Sequence, residues 1–271
     1  MNYEDIFALI ILISIIVLIL YYSYTFLTNV CNGDESLEYF IYENSTDSSV
    51  TKTIMIVAGT HGNEPAGHYA VKDLISDLNL GIKKINPGIR LILIPSVNYC
   101  ALKVHLRYIP FIGDLNRKYP TTLCKEVTSK INKKVVELLQ DTDFILDFHE
   151  GWGFNKQNCK SIGSTFTPTN TELSEDLASI LLTSINNTIQ TDYKKFRIIT
   201  DNQTLIQNDQ ETYIKNEDTK GTLRYYANIL NKNYILVETT GQNNIQALDV
   251  RIEQCKLIID NIFSYFDVEY I

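Results

Sequence analysis

Five short apolar runs divide the chain beyond residue 50: Thr53–Ala58, Ile89–Ile94, Phe144–Phe148, Phe196–Thr200 and Tyr234–Val237. They are too short for helices and mostly lack a polar alternation, which is how strands covered on both faces read. Between them lie longer stretches with apolar residues at helical spacing, over Ala66–Leu78, Leu123–Gln140, Glu172–Ile189, Gly221–Leu230 and Ile245–Phe266. Strands separated by helices predict an α/β domain over residues 51–271. Its expected core is a mixed, mainly parallel twisted sheet with helices on both faces. A chain of 271 residues has the length to bury such a core without disulfide or metal staples.

The N-terminus is of another kind. From Ile6 to Leu27 there is no charge, Pro or Gly. About 20 apolar residues cross a ~30 Å hydrocarbon core as a helix. Residues 6–28 are therefore expected to form one transmembrane anchor, with Tyr21, Tyr22 and Tyr24 suited to the interface. A cleaved signal peptide fits less well, because Glu4 and Asp5 precede the run and no A-x-A site follows it. Residues 29–50 read as an acidic, polar linker. The first basic residue is Lys52, so the positive-inside rule assigns no orientation. Acidic residues outnumber basic ones 32 to 24 with no Lys/Arg stripe, and no nucleic-acid partner is expected. The five cysteines are scattered without metal or disulfide spacing.

Polar residues gather where the apolar runs end. His61 and Glu64, in Gly59-Thr60-His61-Gly62-Asn63-Glu64, can turn toward one point, and imidazole with carboxylate suits Zn²⁺. A helix-capping turn would use the same residues. His149 ends Asp147-Phe148-His149, at the carboxyl end of a strand, where α/β sheets place their sites. Together His61, Glu64 and His149 form a His₂Glu set of the catalytic-zinc type, with a fourth position open to water. Arg107, Asn116 and Arg117, around Asp114-Leu115-Asn116-Arg117, have the chemistry of a carboxylate clamp or of a surface ion pair. Glu238, after Ile235–Val237, is a carboxylate at a buried sheet and suits a general base beside a metal; a capping or ion-paired glutamate is the other reading.

The ordered motifs HGNE, R-x₆-DLNR-x-YP, DFH and VE, from about Thr53 to Thr240, resemble those of the zinc carboxypeptidases. They also resemble those of the related succinylglutamate desuccinylase/aspartoacylase amidohydrolases. The resemblance implies a zinc-carboxypeptidase-like fold and one Zn²⁺ per chain, held by His61, Glu64 and His149. It implies that Asp114 orients a ligand imidazole and that Arg107 stabilises the oxyanion. It further implies that Asn116 and Arg117 grip the substrate carboxylate and that Glu238 is general base and acid. The family's substrate-side tyrosine has three candidates here, Tyr213, Tyr225 and Tyr226.

The implied activity is hydrolysis of an amide or peptide bond next to a free carboxylate, on a peptide or acyl-amino-acid substrate. Amidohydrolases of the desuccinylase type are expected to carry a β-rich domain after the catalytic glutamate. Only 33 residues follow Glu238, which favours the carboxypeptidase form. The alternatives are an N-acyl amino acid amidohydrolase and a membrane-tethered binding module without catalysis. Trp152 reads as a core residue and His68 as a packed or surface helix residue, and Glu150, next to His149, faces the other side of its strand.

Overall fold

A computed structural model describes residues 3–31, 37–44, 50–158, 161–200, 204–207, 210–213, 219–242 and 245–268. The chain divides into two compact units, Met1–Glu35 and Ser36–Ile271. The first contains helix α1 (Tyr3–Cys31), whose apolar side chains are exposed along its length. It is the one helix among the described residues that is long and apolar enough to cross a membrane, over Asp5–Asn29.

The second unit is built on a seven-stranded mixed sheet, the α/β architecture expected. In chain order its strands are β1 (Glu38–Glu43), β2 (Lys52–Val57), β3 (Ile89–Ser96), β4 (Phe144–Gly151), β5 (Thr165–Pro168), β6 (Arg197–Ile198) and β9 (Asn233–Thr240). A separate hairpin pairs β7 (Thr204–Gln207) with β8 (Gln210–Tyr213). Across the sheet the order is β1-β3-β2-β4-β9-β5-β6. The four central strands are parallel, while β1 and β5 run antiparallel to their neighbours β3 and β9.

Helices cover both faces. On one, α2 (Ala66–Asn79), α5 (Glu172–Thr188) and α7 (Leu248–Tyr265) bury Val71, Leu74, Leu181 and Ile258 against Ile54, Leu146, Phe148 and Val237. On the other, α4 (Lys130–Gln140) and α6 (Leu223–Ile229) bring Val135, Leu139 and Tyr226 onto Val57, Ile145 and Tyr234. Every residue of β4 is buried, which is why its sequence shows no polar alternation.

Three elements differ from the sequence reading. Glu38–Glu43, inside the stretch expected to be linker, is an edge strand. Its short run with acidic residues at both ends is how exposed edges avoid further pairing. The helix expected from Leu123 starts only at Lys130, where the Ser129 hydroxyl accepts the Asn132 amide at 3.3 Å and sets the N-terminus. Strand β5 reads as only four residues with a proline, too short to register as a run.

The chain goes from β2 outward to β3, then returns to the other side of β2 with β4. The order therefore reverses between β2 and β4, the position where α/β sheets of this kind place their sites, at the carboxyl ends of the strands.

Candidate metal centre and active site

His61 and Glu64 lie on the loop between β2 and α2, and His149 on β4, so the switch point brings them together. The loop fits there because residue 62 is Gly: a Cβ would fall inside the Ala101 backbone. Nδ1 of His61 lies 2.9 Å from Glu64 Oε1. Nδ1 of His149 lies 2.9 Å from Glu64 Oε2 and 3.2 Å from His61 Nδ1. All three side chains are buried and their donor atoms fall within 4.8 Å of one another.

Four ligands at about 2.0–2.1 Å around zinc place neighbouring donors roughly 3.3 Å apart. Two imidazole nitrogens facing each other across 3.2 Å need a cation or a proton between them. The donor set, two nitrogens and one carboxylate, fits a divalent metal of the zinc type.

The far sides of these three side chains are also held. Nε2 of His61 lies 3.2 Å from Asp114 Oδ1, which accepts the Asn116 amide at 2.9 Å as well. Nε2 of His149 lies 3.5 Å from Asp147 Oδ2, and that oxygen accepts the Tyr234 hydroxyl at 2.7 Å. Glu64 accepts the Glu150 amide on Oε2 at 3.1 Å and the Gln242 side-chain amide on Oε1 at 3.0 Å. Gln242 in turn accepts from Asn63 at 3.0 Å. Such outer partners fix the ring orientation and basicity of metal ligands.

The charges follow this geometry. Burial opposes ionisation of Glu64, but the His61 and His149 imidazoles outweigh it and hold its carboxyl well below the usual range. Burial likewise opposes a charge on His149, and Asp147 and Glu64 overcome it, raising the imidazole well above its ordinary value. Both shifts favour a proton on His149 shared with the Glu64 carboxylate when no metal is bound.

Glu238 is paired with His149 across β9 and β4, on the same face of the sheet. Burial, and then the negative charge of Glu64, raise its carboxyl to about 7. Arg107 reaches the same place from the loop after α3 (Tyr99–Lys103). It donates to Glu64 Oε1 at 3.1 Å and to Asp114 Oδ2 at 3.4 Å. Arg107 is half exposed.

Asn116 and Arg117 separate. Oδ1 of Asn116 accepts the Leu223 amide at 3.0 Å and anchors the start of α6, and the residue is buried. Arg117 is exposed, with Nη1 donating to the Asn116 carbonyl at 2.7 Å. Of the tyrosines, Tyr226 is buried in the core under α4 and α6 and Tyr225 is half buried on α6. The Tyr213 side chain lies outside the described residues.

Glu150 points to the opposite face, as strand alternation requires. There it accepts the Ala66 amide at the start of α2 at 2.6 Å and pairs with Arg251 of α7. His68 is buried, 2.9 Å from the Pro95 carbonyl. Trp152 is exposed rather than packed, because β4 ends one residue before it. Asp147, Tyr234, Gln242 and Arg251 were not singled out from sequence. Only Asp147 carried a signal, standing two residues from His149 and so on the same strand face.

The family model for the succinylglutamate desuccinylase/aspartoacylase catalytic domain matches residues 50–265. The chain belongs to that family. None of the curated proteins matches the sequence. Among solved structures, the product-bound cell shape determinant protein Csd4 of Helicobacter pylori superposes with a TM-score of 0.67 at 18% identity, over 86% of this chain and 56% of that one. In its mDAP-bound form Csd4 is described as a D,L-carboxypeptidase. The ectoine utilization protein EutE (DoeB) of Ruegeria pomeroyi gives 0.58 at 17% identity, over 85% and 60%. A succinylglutamate desuccinylase of Silicibacter sp. TM1040 gives 0.56 at 18%, over 86% and 61%. At these identities the likeness is one of fold, and the chain spans somewhat over half the length of these proteins.

Proposed function

We propose that the chain is a hydrolase that holds one Zn²⁺ on His61, Glu64 and His149 and cleaves an amide or peptide bond next to a free carboxylate. One observation carries this reading: the two Nδ1 atoms and the Glu64 carboxylate converge at about 3 Å, with Glu238 beside them in the same row of the sheet. Zinc held there would supply a Lewis acid that makes water a nucleophile near neutral pH.

The remaining work falls to side chains. Glu238, with a carboxyl raised to about 7, takes the proton of the attacking water and passes it to the leaving amine. Arg107 turns its free N–H groups to the oxyanion, a contribution commonly worth about 3–4 kcal/mol per donor. Asp114 and Asp147 hold the two ligand imidazoles from behind. Arg117, at the rim, receives the substrate carboxylate, with the Asn116 amide beside it.

Two activities share this chemistry. The carboxypeptidase reading is supported by the resemblance in fold to Csd4, and the N-acyl amino acid amidohydrolase reading by the family model. A panel of peptides with basic, aromatic and acidic C-termini, run beside N-acyl amino acids, separates them. Metal analysis tests the site itself: one tightly held zinc per chain is expected, and a protein without metal would favour a non-catalytic binding module. Residues 6–28 are proposed to tether residues 51–271 to a membrane as a single-pass anchor, as the exposed apolar surface of α1 supports. Alkaline carbonate extraction tests this, an anchored chain staying in the pellet.

A further inference from the structure

Arg107 stands in a loop whose outward side chains are apolar. Helix α3 ends in a Schellman turn, in which the His105 amide donates to the Leu102 carbonyl at 3.2 Å and the Leu106 amide to the Ala101 carbonyl at 3.0 Å. His105 there takes a φ of +53°, in the left-handed region that glycine usually fills. Farther along, Ile109 is fully buried, and its carbonyl accepts the Ile112 and Gly113 amides at 2.9 and 2.8 Å. The loop is pinned on both sides of Arg107, yet Leu106, Tyr108 and Phe111 are each 40–49% exposed. Single apolar residues on a surface are ordinary, but three held out together on a fixed loop mark a contact surface.

The surroundings are basic. Residues 99–126 carry five Lys and Arg against two Asp and Glu, in a chain whose net charge is −8. Lys103 lies over the Tyr99 ring at 4.3 Å, and Lys118 donates to the Ile112 carbonyl, so both flank the loop. Exposed aromatics among lysines suit the boundary of a bilayer with anionic lipids. The position agrees. Strand β1 pairs antiparallel with β3, with Glu38 opposite Ser96, so the chain enters the sheet at its carboxyl end. That is the end of the metal site, where Arg107 meets Glu64. Residues 29–37, between the proposed anchor and Glu38, reach no more than about 30 Å even when fully extended.

We propose that Leu106, Tyr108 and Phe111 dip into the headgroup–acyl boundary of an anionic bilayer and hold the mouth of the site at the membrane surface. The proposal rests on the anchor reading for the nearness of a bilayer and goes beyond the hydrolase reading, on which it does not depend.

The test uses the full chain reconstituted in vesicles of phosphatidylcholine and phosphatidylglycerol with brominated acyl chains, which quench tryptophan on contact. Trp152→Phe removes the single native tryptophan. In that background Tyr108→Trp reports from the loop. Tyr265→Trp reports from the opposite end of the sheet, where Phe266 packs on Phe144 at the start of β4. The two tyrosines are 41 and 43% exposed, so the two variants disturb the fold alike. Emission of Tyr108→Trp is expected to move to the blue and to be quenched, while that of Tyr265→Trp stays unchanged. Adding Leu106→Ser or Phe111→Ser should each shift the docking equilibrium about tenfold or more toward the undocked state. Equal quenching in the two reporters, no quenching of Tyr108→Trp, or quenching untouched by both serine substitutions would overturn the proposal. Carbonate extraction of the same vesicles reads the anchor separately. A chain released by carbonate whose Tyr108→Trp form is still quenched by added vesicles ends the anchor reading and leaves the docking loop standing.

Discussion

Replacing Arg251 by Met removes the partner of a carboxylate buried directly behind the metal-site strand. Glu150 and Arg251 are each no more than 4% exposed. The Arg251 side chain passes so close to the chain at residue 241 that only glycine leaves room for it. Breaking such a pair from one side commonly costs about 3–5 kcal/mol, since it strands a buried charge. Glu150 can escape part of that cost by taking up a proton. Burial already raises its carboxyl to about 7 against the pull of Arg251, and without the guanidinium it rises further.

Below its folded pKa and above the ordinary value for Glu, Glu150 holds a proton in the native state that it lacks when unfolded. Stability therefore falls as pH rises, by about 1.4 kcal/mol per unit. In the wild type this fall ends near pH 7, whereas in Arg251→Met it continues above. The difference between the two proteins should be about 1 kcal/mol at pH 6, the worth of the lost hydrogen bonds. It should then grow to about 3–4 kcal/mol by pH 9. Urea unfolding followed by the fluorescence of Trp152, the single tryptophan, reads this. Glu150→Gln/Arg251→Met should lose the pH dependence and recover most of the stability. A cost for Arg251→Met that is the same at pH 6 and pH 9 would refute the reasoning.

Two further predictions follow from the contacts behind and beside the metal ligands. Gln242→Ala leaves Glu64 Oε1 without its 3.0 Å donor and should weaken zinc binding about 10–100-fold in competition with a chromogenic chelator; unchanged affinity would mean that Gln242 does not hold the ligand. In the metal-free protein the carboxyl of Glu238, raised to about 7 chiefly by burial, keeps its proton above the unfolded value. Stability should then fall as pH rises from about 4.5 to 7, and Glu238→Gln should flatten that slope; identical slopes in urea titrations at pH 5 and 7.5 would exclude it.

The sheet and its helices were legible because β2, β3, β4 and β9 are buried on both faces, which leaves continuous apolar runs. The pieces that escaped sequence are those whose residues obey tertiary neighbours. Strand β1 exists because the open edge of β3 can pair with it, and β5 is only four residues long and ends in a proline. At the site, His61, Glu64, His149 and Glu238 stand at strand ends, where polarity interrupts apolarity and marks them. Gln242 and Arg251 carry no such mark. Gln242 is placed by the end of β9, and Arg251 by how α7 packs back onto the sheet, over a sequence separation of 101 residues for the Glu150–Arg251 pair. Asn116 shows the opposite case, a residue conspicuous in its motif whose carbonyl oxygen is committed to the start of α6.

We propose that Glu238 moves the proton in a metal-dependent hydrolysis. It is tested most directly by measuring zinc content and amide hydrolysis side by side in the wild type and in Glu238→Gln. One zinc per chain is expected in both proteins, with a loss of turnover of at least about 10²-fold in the variant. A zinc-loaded Glu238→Gln that hydrolyses the amide at the wild-type rate would contradict it.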